Sequence, residues 1–347
     1  MSNFHSDLGL ISQANFDFPD INLNSQKIST LVKLLELMLI IRKTEIQLAY
    51  GKKQGFIKGP VHLGVGQEAI AAGVSIFLKK TDKVFGAHRS HSHILSLNPN
   101  PYKLFSEVLG KKSGFSKGMG GSMHLWDKPN GFYGSVPIVA GTVPIAVGAG
   151  LAAKLQKTND VSLVYLGDGA IEEGVVNESL NFAKIKAIPV IFIVENNLFA
   201  SHMHVSLRQP SDQMARFAKA NSIPFEVIDG NNIVEVMDSS KKLIEEARKG
   251  KGPGFIEVIT YRWYGHVDWR EDIDVGVNRS LEDVKNWKKR DPIERLEKAM
   301  IKKNIWDENK KNNLRKKIDK IISKAWSKSI KDEYPSQSSI LDYVFYK

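Results

Sequence analysis

Two short apolar runs, VSLVYL at residues 161–166 and VIFIV at residues 190–194, are rich in β-branched residues and lack polar alternation. That is the pattern of strands covered on both faces. Between them Val175, Val176, Leu180, Phe182, Ala183 and Ile185 recur at spacings of three and four, which predicts an amphipathic helix over residues 172–186. Gly167 and Gly169 interrupt the pattern before the helix, freeing the backbone for a sharp turn, and Pro189 ends it. Strand, crossover helix and strand make a βαβ unit, whose parallel strands present their carboxyl ends at one sheet edge. Asp168 and the pair Asn196-Asn197 therefore meet at that edge, although just under thirty residues separate them.

The rest of the chain extends this plan. Residues 1–26 show no sustained period and read as an arm or flexible lead. From Ser29 the stretch LVKLLELMLIIRKTEIQLAY has a broad apolar stripe and ends near Gly51 and Gly55, predicting a long helix that packs on the domain or on a partner. A second helix opens at residues 67–70, with Glu68 in the first turn, where the helix dipole favours an acid. Residues 82–87 read as a short strand, and the small residues of 143–153 suit a closely packed helix. Residues 224–229 read as a strand, 233–248 as a helix and 254–263 as a long strand. From Leu281 the pattern is helical. The fold class is α/β, a doubly wound and mostly parallel sheet with an N-terminal helix and a helical C-terminal tail. Its expected parts are an arm (1–26), an α/β domain (27–277) and a helical extension of the same domain (278–347).

Composition narrows the function. The 347 residues, 42% of them hydrophobic, suffice for a sizeable core. There is no cysteine, which removes disulfides, thiolate metal sites and a cysteine nucleophile, and points to a cytoplasmic location. No apolar run reaches the length of a membrane span, and the N-terminus lacks a basic segment followed by an apolar one. The net charge of +11 raises nucleic-acid binding. The basic residues, however, crowd into the last third among acids and apolar residues at helical spacing, as in LRKKIDKIISKAW. They read as solvated helix faces, so no nucleic-acid partner is expected.

The candidate chemistry lies in loops after strands. A carboxylate and a carboxamide at one sheet edge are hard oxygen donors of the kind Mg²⁺ takes alongside a substrate diphosphate. An acidic loop and an Asn-rich turn that merely cap the sheet are the plain alternative. His62 stands in a glycine-rich loop. His88-Arg89-Ser90-His91-Ser92-His93 suggests a metal, but alternate histidines on an extended segment point to opposite faces, and no carboxylate or cysteine completes a zinc set. The glycine-rich run KGMGGSMHL lacks the lysine signature of a nucleotide-binding P-loop.

Gly-Asp-Gly, a span of just under thirty residues and Asn-Asn together form the thiamine diphosphate fingerprint. The string GDGAIEEGVVNESLNFAKIKAIPVIFIVENN resembles the alpha subunit of the decarboxylating component of 2-oxo acid dehydrogenases. The resemblance runs from about Ser29 to the last residues and implies the three-layer thiamine diphosphate-binding fold. It implies that Asp168, Asn197 and the carbonyl of Phe199 hold Mg²⁺. Gly169 and Ala170 would line the cofactor, and Arg89 and Arg262 would hold its diphosphate, with His88 beside them. The similar motif HLGVGQEA implies that His62 lies at the cofactor's reactive carbon. His266 would contact the substrate-derived intermediate, with His91 or His93 shaping the substrate pocket. Residues 135–139, including Pro137, would meet the aminopyrimidine, and Val139 would be the wedge that keeps the cofactor bent. Here Ser135-Val136-Pro137 replaces the Gly-Asn-Gly common among relatives.

The motif His-Arg-x-His-x-His is closer to the acetoin subgroup than to typical pyruvate enzymes, so the implied substrate is a 2-oxo acid or acetoin. His202, His204, Arg208 and Gln209 fall near the mouth, as substrate readers or as plain loop. VDWREDIDVGVNRS lacks the Ser-Met-Ser run on which kinases regulate animal enzymes, so that control is not expected. The tail SSILDYVFYK resembles the family's C-terminal subunit contact. The glutamate that assists cofactor activation in this family has no match in the chain. The resemblance therefore implies an α₂β₂ assembly in which a beta subunit supplies it, and a lipoyl acyltransferase that accepts the acyl group. Carboligation with another acceptor, and a basic interaction protein retaining a degenerate fold, are the competing readings.

Overall fold

A computed structural model describes residues 4–23, 26–271, 273–274 and 277–342. The chain enters through an arm with a 3-10 turn at Gly9–Ser12. Helix α1 (Ile28–Lys53) follows, then α2 (Glu68–Ser75), β1 (Lys83–Gly86), α3 (His91–Leu97), α4 (Pro101–Val108) and β2 (Phe132–Ser135). Next come α5 (Val143–Leu155), β3 (Ser162–Gly167), α6 (Gly174–Ile185) and β4 (Val190–Asn196). A small hairpin of β5 (Phe199–Ala200) and β6 (Met203–His204) leads to α7 (Ala215–Ala220), β7 (Phe225–Asp229), α8 (Ile233–Arg248) and β8 (Gly254–Ile259). A two-stranded ribbon, β9 (Ile273–Asp274) with β10 (Val277–Asn278), precedes α9 (Leu281–Lys288), α10 (Pro292–Lys302) and α11 (Glu308–Lys331).

The main sheet has the order β2-β1-β3-β4-β8-β7, and every pairing in it is parallel. Side chains alternate between its two faces, as the period of a strand requires. Leu163 and Tyr165 of β3 join Ile191 and Ile193 of β4 in the cluster under α1, α2, α8, α10 and α11. Val164 and Leu166 join Phe192 and Val194 in the cluster under α5, α6 and α7. Both faces are therefore covered, which gives the three layers expected from the strand pattern.

Several expectations move at their edges. The crossover helix begins at Gly174 because a 3-10 turn, Ala170–Glu172, follows the glycine turn first. The long strand expected over 254–263 stops at Ile259, where its neighbours stop: Ile259 pairs with Asn196 of β4 and with Asp229 of β7. Beyond that point no ladder remains to hold it, and Trp263 N–H bonds instead to the Val65 carbonyl, 2.9 Å away. The histidine segment after β1 is not extended, since His91 and His93 lie in the first turn of α3. The N-terminal segment is tied down, with Leu8, Ile21 and Leu23 buried. Of the tail, residues 343–347 lie outside the described residues, as do 272, 275 and 276 of the loop expected to lack kinase sites. Among the described residues no helix is long and apolar enough to cross a membrane.

Helix α1 is buried on nearly all sides, and α11 lies against it. The contact depends on a missing side chain, because a Cβ at Gly51 would come within 2.5 Å of the Trp326 ring. Trp326 is itself fixed edge-on by Phe56 and Phe105. Gly51→Ala is expected to destabilise the chain by about 1–3 kcal/mol through overpacking. Chemical denaturation should show this, and Trp326→Leu in the same chain should recover part of the loss; an unchanged midpoint for Gly51→Ala would contradict it.

Candidate active site

Between β1 and β3 the direction of winding reverses, and ligands of open parallel sheets bind beyond the carboxyl ends of strands at such a point. A cavity of about 390 Å³ opens there. Ala87, His88 and Arg89 reach it from β1, Asp168, Gly169 and Ala170 from β3, and Asn197 and Phe199 from β4. His266 arrives from the segment after β8, and His62 from the loop before α2. Pro137, Val139 and Ala140 form a wall beside them, with Ala140 held at φ 59°. A left-handed alanine costs of order 1–3 kcal/mol and persists only where its surroundings fix it.

Asp168 is 1% exposed at the end of β3. Burial pushes its carboxyl upward, and Arg208, the backbone, Arg262 and the Asn197 N–H pull against that. The Arg208 guanidinium bridges the carboxylates of Asp168 and Glu172 and also donates to the Asp168 carbonyl at 3.3 Å. The position beside Asp168 is thus built for positive charge. Asn197 offers its carboxamide oxygen, which accepts the Phe199 N–H at 3.3 Å. Hard oxygen donors beside a buried carboxylate fit Mg²⁺, provided that Arg208 shares or yields the carboxylate.

The glycines do not work as expected. Neither takes a left-handed conformation, and a Cβ on Gly167 would meet nothing within 4 Å. A Cβ on Gly169, however, would come within 2.6 Å of the Ala200 Cβ. Gly169 therefore lets the β5–β6 hairpin close over the turn.

The Asn pair divides its work. Asn197 lines the cavity, whereas Asn196 is fully buried, donating to the Asp212 carbonyl (2.9 Å) and to Glu257 Oε1 (2.7 Å) while accepting the Leu198 N–H (3.1 Å). Glu257 also accepts the Met214 and Ala215 N–H groups, and burial pushes it up to about 7.

Among the described residues, the histidines placed to share a metal take only His88 from the sequence-adjacent run. His62, His88 and His266 come from three separate segments, their rings 4.7–5.2 Å apart, with ligating nitrogens within 4.8 Å of one another. Burial, then the Arg89 charge, holds all three imidazoles far below their usual range: His88 falls to about 3, His266 to about 2 and His62 lower still. Neutral imidazole suits a metal, but the guanidiniums of Arg89 and Arg262 beside the cluster would repel a dication. Arg89 lies 3.3 Å from His266 Nδ1, and Arg262 acts on both His88 and His266. The cluster is better matched to an anion or to a polar neutral group than to a cation. His62 Nδ1, buried and without a hydrogen-bond partner among the described residues, adds an orienting group there.

Not every residue singled out from the sequence reaches the cavity. Arg262 is 1% exposed behind the hairpin, where it donates to the carbonyls of Ser201 (2.5 Å) and Tyr264 (2.9 Å). His91 is buried away from the lining, between Ser122 Oγ at 2.9 Å and the Glu45 carboxylate at 3.3 Å. His93 bonds Glu195 at 3.1 Å and stacks on Tyr165 at 3.8 Å. His204 lies edge-on to Phe199, and Gln209 accepts from Arg216. Tyr165, Glu195, Met123, Thr142 and Glu173 line the cavity and were not singled out. Glu195 alone left a signal, as a charged residue closing a wholly apolar strand.

The depressed imidazoles make stability depend on pH. An unfolded histidine titrates near 6.5, so unfolding takes up protons once pH falls through that value. The stability these groups contribute is complete above about pH 7 and lost on acidification, at a slope of at most about 1.4 kcal/mol per pH unit for each. His88→Gln should flatten the decline of the denaturation midpoint between pH 7 and 5, and an unchanged slope would contradict it.

The description "Dehydrogenase E1 component" belongs to the family model that matches residues 36–338. The chain is 34% identical over 309 residues to the alpha subunit of an acetoin:2,6-dichlorophenolindophenol oxidoreductase of Bacillus subtilis, covering 89% of this chain and 91% of the relative. It is 32% identical over 316 residues to the pyruvate dehydrogenase E1 component subunit alpha of Rickettsia bellii (90% and 95%). Identity is 33% over 304 residues to the corresponding subunit of Rhizobium meliloti (87% and 86%). With the family model matching residues 36–338 and relatives above 30% identical covered over most of their length, this chain belongs to the dehydrogenase E1 component family.

Proposed function

We propose that the cavity binds thiamine diphosphate through Mg²⁺, and that the chain acts with a beta subunit on pyruvate or a related 2-oxo acid, or on acetoin, passing the acyl group to a lipoyl carrier. Its family makes it the alpha subunit of a thiamine diphosphate-dependent dehydrogenase. The observation that carries the finer reading is the convergence on one cavity of a buried carboxylate, a carboxamide and a cluster of neutral imidazoles.

When bound, thiamine diphosphate supplies the electron sink for cleavage of the bond next to a carbonyl. The chain's own residues hold, orient and exclude water. Asp168, Asn197 and the Phe199 carbonyl are the oxygen donors for the metal, and Arg89 provides a charge-assisted donor for phosphate. Arg262 adds its positive charge from behind the hairpin. Pro137, Val139 and Ala170 give the cavity apolar walls. His62 and His266, neutral at pH 7, can donate to or accept from a substrate oxygen without first losing a proton. His91 acts at one remove, through Ser122, in this reading.

The beta subunit is supported by exposed apolar side chains close in sequence to the lining. Trp126, Ile138, Val139 and Ile145, each within three positions of a cavity-lining residue, are exposed by 50%, 72%, 49% and 55%, and a second chain would cover them. Of the cavity carboxylates, Asp168 and Glu195 are already engaged, by Arg208 and His93 respectively, and Glu173 lies exposed on the lining. An activating glutamate contributed by the partner fits that arrangement.

In the co-expressed complex, Asp168→Ala and Asn197→Ala should each weaken Mg²⁺-dependent thiamine diphosphate binding by more than about 100-fold, as read by calorimetry. Cofactor binding that survives both changes would sink the metal assignment. The purified single chain should give no turnover, whereas the complex should acylate a lipoyl domain with one member of a panel of 2-oxo acids and acetoin. Turnover by the chain alone, or product formation only with an aldehyde acceptor, would contradict this reading.

A further inference from the structure

The loop at residues 197–211 carries the metal-side groups, namely the Asn197 carboxamide, the Phe199 carbonyl and Arg208 against Asp168. Its two ends are joined by the bond from Asn196 Nδ2 to the Asp212 carbonyl, so that it forms a closed Ω-shaped excursion. Inside it the Val205 N–H returns to the Leu198 carbonyl at 2.8 Å. The base of such a loop decides how accurately its tip is placed.

The side chain of Asp212, 3% exposed, faces the opposite way and is filled by the N-terminal arm. Its Oδ1 accepts the N–H groups of Asp7 (2.8 Å) and Leu8 (3.1 Å). Its Oδ2 accepts the hydroxyls of Ser6 (2.6 Å) and Ser12 (3.1 Å). All four donors come from residues 6–12, some two hundred positions away in sequence. Beside them His5 N–H bonds the Pro210 carbonyl at 2.9 Å, and Ser211 Oγ bonds the Asp7 carboxylate. On the inner side Asn196 continues the chain of bonds to Glu257, whose carboxylate also accepts both N–H groups at the start of α7. The arm thus bonds to Asp212, Asp212 to Asn196, and Asn196 stands next to the expected metal ligand.

We propose that the N-terminal arm is a clasp on the cofactor site, with Asp212 as its positioning residue. Donors at residues 6–12 hold the base of the 197–211 loop and so set where Asn197, the Phe199 carbonyl and Arg208 stand. The proposal rests on the assignment of the metal to Asp168, Asn197 and Phe199 given above. Asp212 touches neither cofactor nor substrate in this account. Its carboxylate gathers four donors, while its carbonyl passes the constraint inward.

The test uses the alpha–beta complex with three variants: Asp212→Ala, Asp212→Asn, and the double change Ser6→Ala with Ser12→Ala. Hydrogen exchange over residues 197–211 and the dissociation constants for Mg²⁺ and thiamine diphosphate are measured, with kcat taken at saturating cofactor. Asp212→Ala should speed exchange in the loop and weaken Mg²⁺ and cofactor binding by about 10- to 100-fold, with kcat at saturation reduced far less. Asp212→Asn, which keeps an oxygen acceptor, should restore most of the affinity. The arm variant should shift both readouts in the same direction by a smaller factor. A stability role alone would lower the unfolding temperature and leave the dissociation constants unchanged, and that result overturns the proposal. If Asp212→Ala does not fold, the arm variant decides: unaltered loop exchange and unaltered affinity overturn the clasp. Asp168→Ala, run alongside, separates this failure from failure of the metal assignment, since only the latter predicts that Asp168→Ala leaves cofactor binding intact.

Discussion

A carboxylate buried at the end of a parallel strand has to be balanced, because a lone charge in such a place costs several kcal/mol. Asp168 is that carboxylate, and much of the molecule is arranged around balancing it. The glycine after it lets the hairpin approach, and the Asn197 N–H and Arg208 approach with the hairpin. The sheet makes this possible by ending β3, β4 and β8 at one level, so that each strand's last residue hands its loop to the same cavity. The positive charge tolerated at Asp168 and the depressed imidazoles near Arg89 divide that cavity into two ends. One end favours a cation, and the other favours an anion or a neutral polar group.

How much of this was legible in the sequence depended on distance along the chain. The βαβ unit around Asp168 could be read because its signals are local: apolar runs of strand length, a helical period and glycine or proline between them. Asp168 and Asn197 followed by topology alone. The cluster of His62, His88 and His266 could not be read from spacing, since its members stand on three loops joined only by the fold. Resemblance to a family named those residues, but not their mutual contact or their shared loss of basicity. The reason for Gly169 was also out of reach, since it depends on Ala200, thirty-one positions later. Arg262 and His91 were singled out by motif, yet the fold turns one behind the hairpin and shuts the other between Ser122 and Glu45.

Polar residues that serve the site indirectly were the least visible. Asn196 and Asn197 are chemically identical neighbours, and only strand geometry sends one inward to Glu257 and the other to the cavity. Asp212 resembled any loop acid, and the arm that fills it shows no periodic pattern. Glu107 is similar: its carboxylate gathers the N–H groups of Ser116, Gly118, Gly120 and Gly121, and so shapes the glycine-rich run from within α4. Such carboxylates act as local templates for backbone, a role set by what surrounds them rather than by their own type.

The strand order has a consequence for how the chain is made. A parallel strand cannot be paired by a hairpin, so each must wait for a partner that arrives after a crossover. β4, apolar on both faces, gains β3 at once but meets β8 only after residues 197–253 have emerged. Through that interval one edge of VIFIVEN offers bare N–H and carbonyl groups between two greasy faces, the kind of surface on which nascent chains stick to one another. The central position that leaves every residue of β4 buried in the folded sheet is therefore also what keeps one of its edges open during synthesis.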